Sequence, residues 1–258
     1  MTAQAKPTPL DARIAEEVAL AKSILVYHGD GAKNSAMDRL YRQFLKPGDL
    51  AFDIGSHVGD RIASFRRLGA KVVALEPQPG PAAVLDRIFA PEKDVTLVRS
   101  ACGPSQGEIT FRINSANPTV STASVDFVKA ADGAGGWEGQ RWDREITVPM
   151  TTLDQLIAKH GLPQFVKIDV EGFEADVLAG LTKPVPALSF EFTTIQRDVA
   201  QKCLDSLADR EAYYFDVALG ESQKFEFGRW ATATEMRAFI ENLPHAANSG
   251  DVYAVLRR

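Results

Sequence analysis

The sequence predicts a doubly wound α/β fold. Short apolar runs recur between residues 50 and 192, most of them separated by helix-forming stretches. Runs of this kind are strands buried on both faces of a parallel sheet. Strand alternating with helix implies right-handed crossovers. A third observation is a pair of strand-like runs near the C-terminus, Tyr213 to Leu219 and Asp251 to Leu256, that can close one sheet edge as an antiparallel pair. The chain has 258 residues, 45% of them hydrophobic and 24% charged, which is a globular composition. That length buries a sizeable core without a disulfide or a metal.

In chain order, the first dozen residues are polar and Pro-containing and are expected to be mobile. From Asp11 to Leu25, the apolar positions Ile14, Val18, Leu20, Ala21 and Leu25 fall mostly on one helical face. A second helix is expected over Ser35 to Phe44, stopped by Lys46-Pro47-Gly48-Asp49. Strands follow at Leu50 to Ile54, Val72 to Leu75, Val95 to Val98, Phe165 to Val170 and Ala187 to Phe192. The intervening helices are Val58 to Leu68, Ala82 to Phe89 and Phe173 to Leu181, with another at Ile195 to Leu207. Glu108 to Ile113 and Glu145 to Met150 interrupt the alternation as half-exposed strands, and the Ser-, Ala- and Gly-rich stretch from Asn114 to Arg144 between them carries Trp137 and Trp142. A long loop of this kind is functional or disordered, and a lid that orders on ligand binding is the expectation here. A last helix is expected near Thr234 to Asn242.

The net charge of −5, 29 basic against 34 acidic residues, argues against nucleic acid as the main partner. Cys102 and Cys203 form no framework, which favours a reducing, cytoplasmic setting. No stretch has the length of a membrane span or of a signal-peptide core, so a soluble, unexported protein is expected.

Ligands of open α/β sheets bind at the carboxyl ends of the strands. Asp53, Glu76, Asp169, Glu171 and Glu191 gather there, and a carboxylate is expensive to bury alone, so the ligand is polar or cationic. Asp53-Ile54-Gly55-Ser56-His57-Val58-Gly59 is a strand-to-helix turn whose glycines allow close backbone approach. It reads DxGxxxG, not the dinucleotide fingerprint GxGxxG. Glu76, about twenty residues on, sits where an acid accepts hydrogen bonds from ribose hydroxyls. That spacing fits a nicotinamide cofactor and S-adenosylmethionine alike, and Pro77 ends the strand in either case. In Lys167-Ile168-Asp169-Val170-Glu171-Gly172, the alternation of a strand puts Lys167, Asp169 and Glu171 on one side for as long as the strand persists, with Asp169 as the partner of a buried Lys167. No His or Cys cluster suggests zinc, and Asp169 with Glu171 is too small a set to assign Mg²⁺, so no metal is expected.

At FDIGSHVG (Phe52 to Gly59), ALEPQP (Ala74 to Pro79), TTLDQL (Thr151 to Leu156) and KIDVEGFEADVLAG (Lys167 to Gly180), the chain resembles the FkbM family of S-adenosylmethionine-dependent methyltransferases. The resemblance covers roughly Leu50 to Phe192, with a plausible SGDVYAV near the C-terminus. It implies a class I methyltransferase Rossmann-like sheet of seven strands, mostly parallel with an antiparallel C-terminal edge strand. It also implies an S-adenosylmethionine-binding domain over residues 50–258, with residues 1–49 as a helical extension packed on it, and transfer of the cofactor's methyl to a hydroxyl of a sugar or other small molecule. Carried over by position, Asp53, Gly55 and Gly59 would line the methionine part, with Ser56, His57 and Pro77 in contact nearby. Glu76 would hold the ribose, Ser100 and Ala101 the adenine, and Asp169 the region of the transferred methyl. Glu171 is the favoured base toward the acceptor, followed by Asp169 and Glu191 and then His57, which stands where the family more often has Asn. Ser100-Ala101 lacks the acid that many relatives use for the adenine amine. A nicotinamide oxidoreductase and a non-catalytic S-adenosylmethionine-binding module are the competing readings.

Overall fold

The computed structural model describes residues 9–209 and 212–257. Its centre is a seven-stranded sheet made of β1 (Leu50–Ile54), β2 (Lys71–Leu75), β3 (Val95–Val98), β7 (Phe165–Ile168), β8 (Ala187–Thr193), β9 (Tyr213–Leu219) and β10 (Ser249–Leu256). The order across it is β3-β2-β1-β7-β8-β10-β9. All neighbours run parallel except β10, which is antiparallel to both β8 and β9. The order reverses between β1 and β7, and the carboxyl ends of those two strands form the switch point.

Residues alternate between two apolar layers. Phe52, Ile54, Val166, Ile168 and Val252 point into one core, which is covered by α6 (Leu153–His160), α7 (Glu174–Ala179), α8 (Arg197–Ala208) and α9 (Ala233–Asn242). Ala51, Phe165 and Tyr253 face the other core, under α2 (Gly31–Tyr41), α3 (Asp60–Arg67) and α4 (Pro79–Phe89). Asp53, Lys167 and Asp251 share the parity of this second face, so the period of two places them all under α2 and α3.

Between β3 and β7 the chain builds a second sheet of β4 (Ala101–Cys102), β6 (Arg144–Thr151) and β5 (Gly107–Ile113) in that order. The half-exposed strands of the sequence are β5 and β6, paired antiparallel.

The expected loop from Asn114 to Arg144 is instead folded. It contains a 3₁₀ turn at Pro118–Val120, a bridge from Arg112 to Thr122, and α5 (Val125–Ala131) capped by the Ser124 hydroxyl. Trp137 and Trp142 both pack edge-on against buried Phe127, and the Trp142 indole N–H donates to the Val120 carbonyl at 2.9 Å. The aromatics that suggested a mobile lid hold the segment down.

Other boundaries shift for local reasons. α1 (Pro9–His28) starts before the expected Asp11, inside the stretch expected to be mobile, whereas residues 1–8 lie outside the described residues. Of its apolar positions, Leu20 points inward while Ile14, Val18, Ala21 and Leu25 face outward. α2 begins at Gly31 rather than Ser35, because the Asp30 carboxylate accepts from the Ala32 and Lys33 amides. β7 ends at Ile168, two residues early, at the turn that forms the site.

Candidate active site

A cleft lies at the switch point, with about 970 Å³ of space open to solvent at its mouth. Asp53, Gly55, Ser56, His57, Glu76, Pro77, Ser100, Ala101, Asp169, Glu171 and Glu191 all line it. Gly59 does not. Its φ is +85°, it caps α3, and a Cβ there would meet Leu85 and Phe89 of α4. That glycine packs α3 against α4.

One wall is the glycine turn. The Gly55 and Ser56 amides both donate to the Leu75 carbonyl, which fastens the end of β1 to the end of β2. Gly55 has φ +88°, and a Cβ there would run into the Asp169 carbonyl oxygen. The ends of β1 and β7 therefore approach too closely for any side chain, and this glycine is required by the fold before any ligand arrives. The Glu76 carboxylate accepts from the His57 and Gln78 amides, each at 2.8 Å. Burial nevertheless pushes its pKa up to about 7. Asp53, also buried, is raised to about 7 by burial and by Asp60, and one of its oxygens has no partner.

His57 does not make the side-chain hydrogen bond of the turn. Both of its ring nitrogens are buried without a partner, and burial lowers its pKa to about 4. It is therefore neutral at pH 7, with its ring edge-on to Tyr27 of α1 at 5.9 Å.

The opposite wall is the turn after β7. Lys167 is fully buried, and its Nζ donates to Asp169 at 3.0 Å and to Asp251 of β10 at 2.7 Å. Burial opposes ionisation of Asp169, but Lys167, Glu191 and Arg61 together outweigh it and hold that carboxyl below its ordinary value. The chain leaves strand geometry after Ile168, so the alternation invoked for Glu171 ends there. Glu171 instead adopts φ +56° and Gly172 +84°.

The turn is fixed from three sides. The Glu174 carboxylate accepts from the Val170 and Gly172 amides, the Thr122 hydroxyl donates to the Glu171 carbonyl at 2.7 Å, and a Cβ on Gly172 would meet Phe127 and Gln196. Strand parity fails, yet the turn still delivers Glu171 to the cleft. Oxygens of Asp169, Glu171 and Glu191 lie within 4.8 Å of one another, so Glu191 joins the two acids that the sequence grouped. Burial, together with Asp169 and Glu174, pushes Glu171 well up, and Glu191 is raised by burial, Asp169 and Glu171.

The mouth is built from residues that sequence reasoning missed. Tyr27 of α1, Asp60 and Arg61 of α3, and Glu221 after β9 line the cleft beside His57. Buried Arg61 pairs with Asp60 at 2.6 Å and with Glu221 at 3.3 Å. Nothing in a local motif marks them, because the three segments meet only in the fold. Ser100 faces the cleft while its hydroxyl donates to the Ala101 and Pro149 carbonyls. The remaining histidines are occupied elsewhere or remote: His28 Nε2 bonds to the Val58 carbonyl oxygen, His245 Nε2 to that of Gly135, and His160 ends α6.

The residues fit S-adenosylmethionine. An acidic cleft suits a sulfonium, Asp53 offers an unpaired buried carboxylate oxygen, and each oxygen of the Glu76 carboxylate keeps lone-pair capacity beyond its amide bond. The missing GxGxxG disfavours a nicotinamide cofactor.

A hexuronic acid methyltransferase, AglP of Haloferax volcanii, is 26% identical over 199 residues, 74% of this chain and 74% of that protein. Among solved structures, the TehB-like S-adenosylmethionine-dependent methyltransferase of Corynebacterium glutamicum aligns at TM-score 0.49 with 10% identity, covering 95% of this chain and 99% of that one. An O-methyltransferase of Bacillus cereus in complex with S-adenosylhomocysteine aligns at 0.48 with 10% identity, over 98% and 93%. The family model of the FkbM methyltransferase domain matches residues 53–245, from the aspartate of the glycine turn past the whole of the acidic turn, and the protein belongs to the FkbM family of methyltransferases, which use S-adenosylmethionine.

Proposed function

We propose that the protein is an O-methyltransferase acting on a hydroxyl of a small molecule, of which a sugar is the class we favour, in the cytoplasm and without nucleic acid as substrate. The observation that carries this is the trio Asp169, Glu171 and Glu191, gathered on the wall across from the glycine turn. A hydroxyl needs a base within reach, whereas a softer nucleophile does not. The archaeal relative is named for a hexuronic acid, which supports a sugar acceptor.

S-adenosylmethionine, when bound, supplies an electrophilic methyl on a cationic sulfonium. The chain's own work is to hold and align. Glu76 would receive the ribose hydroxyls and Asp53 the methionine amine, Ser100 and Ala101 would border the adenine, and Ser56 and Pro77 would complete the wall. Asp169, kept ionised by Lys167, faces the developing reaction centre. Glu171 takes the proton from the acceptor hydroxyl. In the unliganded site its carboxyl is pushed up by burial and by its acidic neighbours, and a cation beside it lowers it again. A filled site therefore favours the ionised base more than the empty one does. Alignment within near-attack distance supplies most of the rate.

The test is a pair of near-isosteric changes with turnover followed as S-adenosylhomocysteine formed on a panel of sugars and uronic acids. Glu171→Gln should lower turnover by ~10²–10⁴ and leave cofactor affinity unchanged, the range for losing a general base. Normal turnover in Glu171→Gln with loss in Glu191→Gln would move the base to Glu191. Cofactor binding with no turnover on any hydroxyl would leave a binding module.

A further inference from the structure

Over residues 14–25, α1 is pinned to the body by one face only: Ala19, Leu20 and Ser23 are buried, and Glu16 pairs with Arg144 at 3.1 Å. Past Leu25 the other side also engages the body, where His28 bonds to the Val58 carbonyl at 2.9 Å, so the open face ends there. The opposite face is open and apolar. Leu10, Ile14, Val18, Leu25 and Val26 are between 49% and 72% exposed, and Ala21 is exposed among them. These are five of the eight large apolar side chains that stand out as exposed among the described residues. One helix therefore carries most of the apolar surface that a soluble monomer would hide.

The pattern on that face is a coiled-coil seam. Ile14, Val18, Ala21 and Leu25 follow one another at intervals of four, three and four, which are successive d, a, d and a positions. The buried residues 19, 20 and 23 are then b, c and f positions, diametrically outside the seam. Glu17 falls at g and Lys22 at the following e. Both are exposed, and neither has an ion-pair partner among the described residues. In two parallel helices, the g residue of one faces the e residue of the next heptad of the other, five positions on. Glu17 of one copy thus meets Lys22 of the second, and by symmetry the pair occurs twice. An antiparallel pairing would set g against g and lose this match.

We infer that the protein forms a twofold homodimer through α1, with the two helices parallel and Glu17 of each copy paired with Lys22 of the other. Two heptads are too short to hold a coiled coil between free peptides. Here each helix is already folded on its own body, so association bears no helix nucleation penalty. The short seam makes the dimer a reversible one, in the weak part of the interface range. The seam lies on the far side of α1 from Tyr27, the α1 residue that lines the cleft, so each copy keeps its own open site.

The experiment is sedimentation velocity of the full chain from about 1 to 100 µM, with Lys22→Glu, with the double exchange Glu17→Lys/Lys22→Glu, and with Val18→Glu. All three sites are exposed, so thermal unfolding should be unchanged and serves as the control for folding. The expected result is a monomer–dimer equilibrium. Lys22→Glu should raise the dissociation constant at least about tenfold, by replacing two attractive contacts with two repulsive ones. The double exchange should restore it to within about threefold, and Val18→Glu should abolish the dimer. A monomer at every concentration overturns the inference, as does a dimer indifferent to Val18→Glu. Failure of the double exchange to restore association overturns the parallel pairing. Binding of the monomer to anionic vesicles, lost in Val18→Glu and without self-association, assigns the face to a membrane surface and overturns the dimer. None of these readouts depends on methyl transfer.

Discussion

Replacing Lys167 by Met keeps the length of a fully buried side chain and removes the cation that two carboxylates share. Asp251 is almost as buried as the lysine, and Asp169 is partly open to the cleft. Removing one partner of a buried pair typically lowers stability by about 3–5 kcal/mol, because a charge is left uncompensated. The structure adds a pH dependence whose sign can be worked out. In the wild type Asp169 is held below its ordinary value, so the stability it contributes is present at neutral pH and is lost only in acid, as the pH falls through its folded pKa. Asp251 is already raised by burial in the wild type, and in Lys167→Met the loss of the cation raises it further and lifts Asp169 above its unfolded value as well. The variant then loses stability as pH rises, by up to about 1.4 kcal/mol per unit for each carboxyl that stays protonated. Urea unfolding followed by circular dichroism at pH 5 and pH 8 should show a deficit of about 3–5 kcal/mol at pH 8 and a much smaller one at pH 5. Adding Asp251→Asn should recover part of the loss at pH 8. A deficit below about 1 kcal/mol, or one equal at both pH values, would refute the view that Lys167 acts as the counter-ion of these two acids.

Three further outcomes follow from the glycine turn and its neighbour. Glu76→Ala should weaken S-adenosylmethionine binding by about 1–3 kcal/mol in calorimetry. In the wild type the affinity should fall as the pH drops below about 7, where Glu76 and Asp53 take up protons and lose acceptor strength, so a flat profile from pH 6 to 8 would count against both assignments. Gly55→Ala should fail as a fold rather than only as a cofactor site, since its Cβ meets the Asp169 backbone and its φ is left-handed. A variant with wild-type melting temperature but no cofactor binding would contradict that reading.

The parallel core was legible because each strand announces itself as an apolar run with a polar or glycine terminus, and the acids at those ends were legible for the same reason. Asp53, Glu76, Asp169, Glu171 and Glu191 all reach one cleft. What was not legible is what tertiary contact decides. Strand parity reaches only as far as the strand, and Glu171 lies past it, where the chain turns left-handed under the hold of Glu174 and Thr122. The Gly- and Ser-rich stretch read as a loop, because its order comes from Trp137 and Trp142 meeting Phe127, a tertiary contact with no periodic signature. The contact of Gly59 with Leu85 and Phe89, which packs α3 against α4, likewise has no signature in the glycine motif. Asp251 as second partner of Lys167, and Tyr27, Arg61 and Glu221 at the mouth, depend on segments far apart in the chain, which no window of sequence brings together.

The position of β10 between β8 and β9 bears on how the chain is made. During vectorial synthesis β8 leaves the ribosome with one edge unpaired, and β9, the next strand out, cannot dock there because its only neighbour in the sheet is β10. Some 56 residues separate Thr193 from Ser249, which at about 5–20 residues per second leaves roughly 3–11 s in which an apolar edge stands open. Lys167 is in the same position, with Asp251 still untranslated while its own strand is already formed. The nascent protein therefore carries a sticky sheet border and a half-neutralised buried lysine through the same interval, and the arrival of one strand resolves both. A chaperone that caps strand edges would have its natural client in this window, and synonymous codons that slow translation between β8 and β10 would lengthen it.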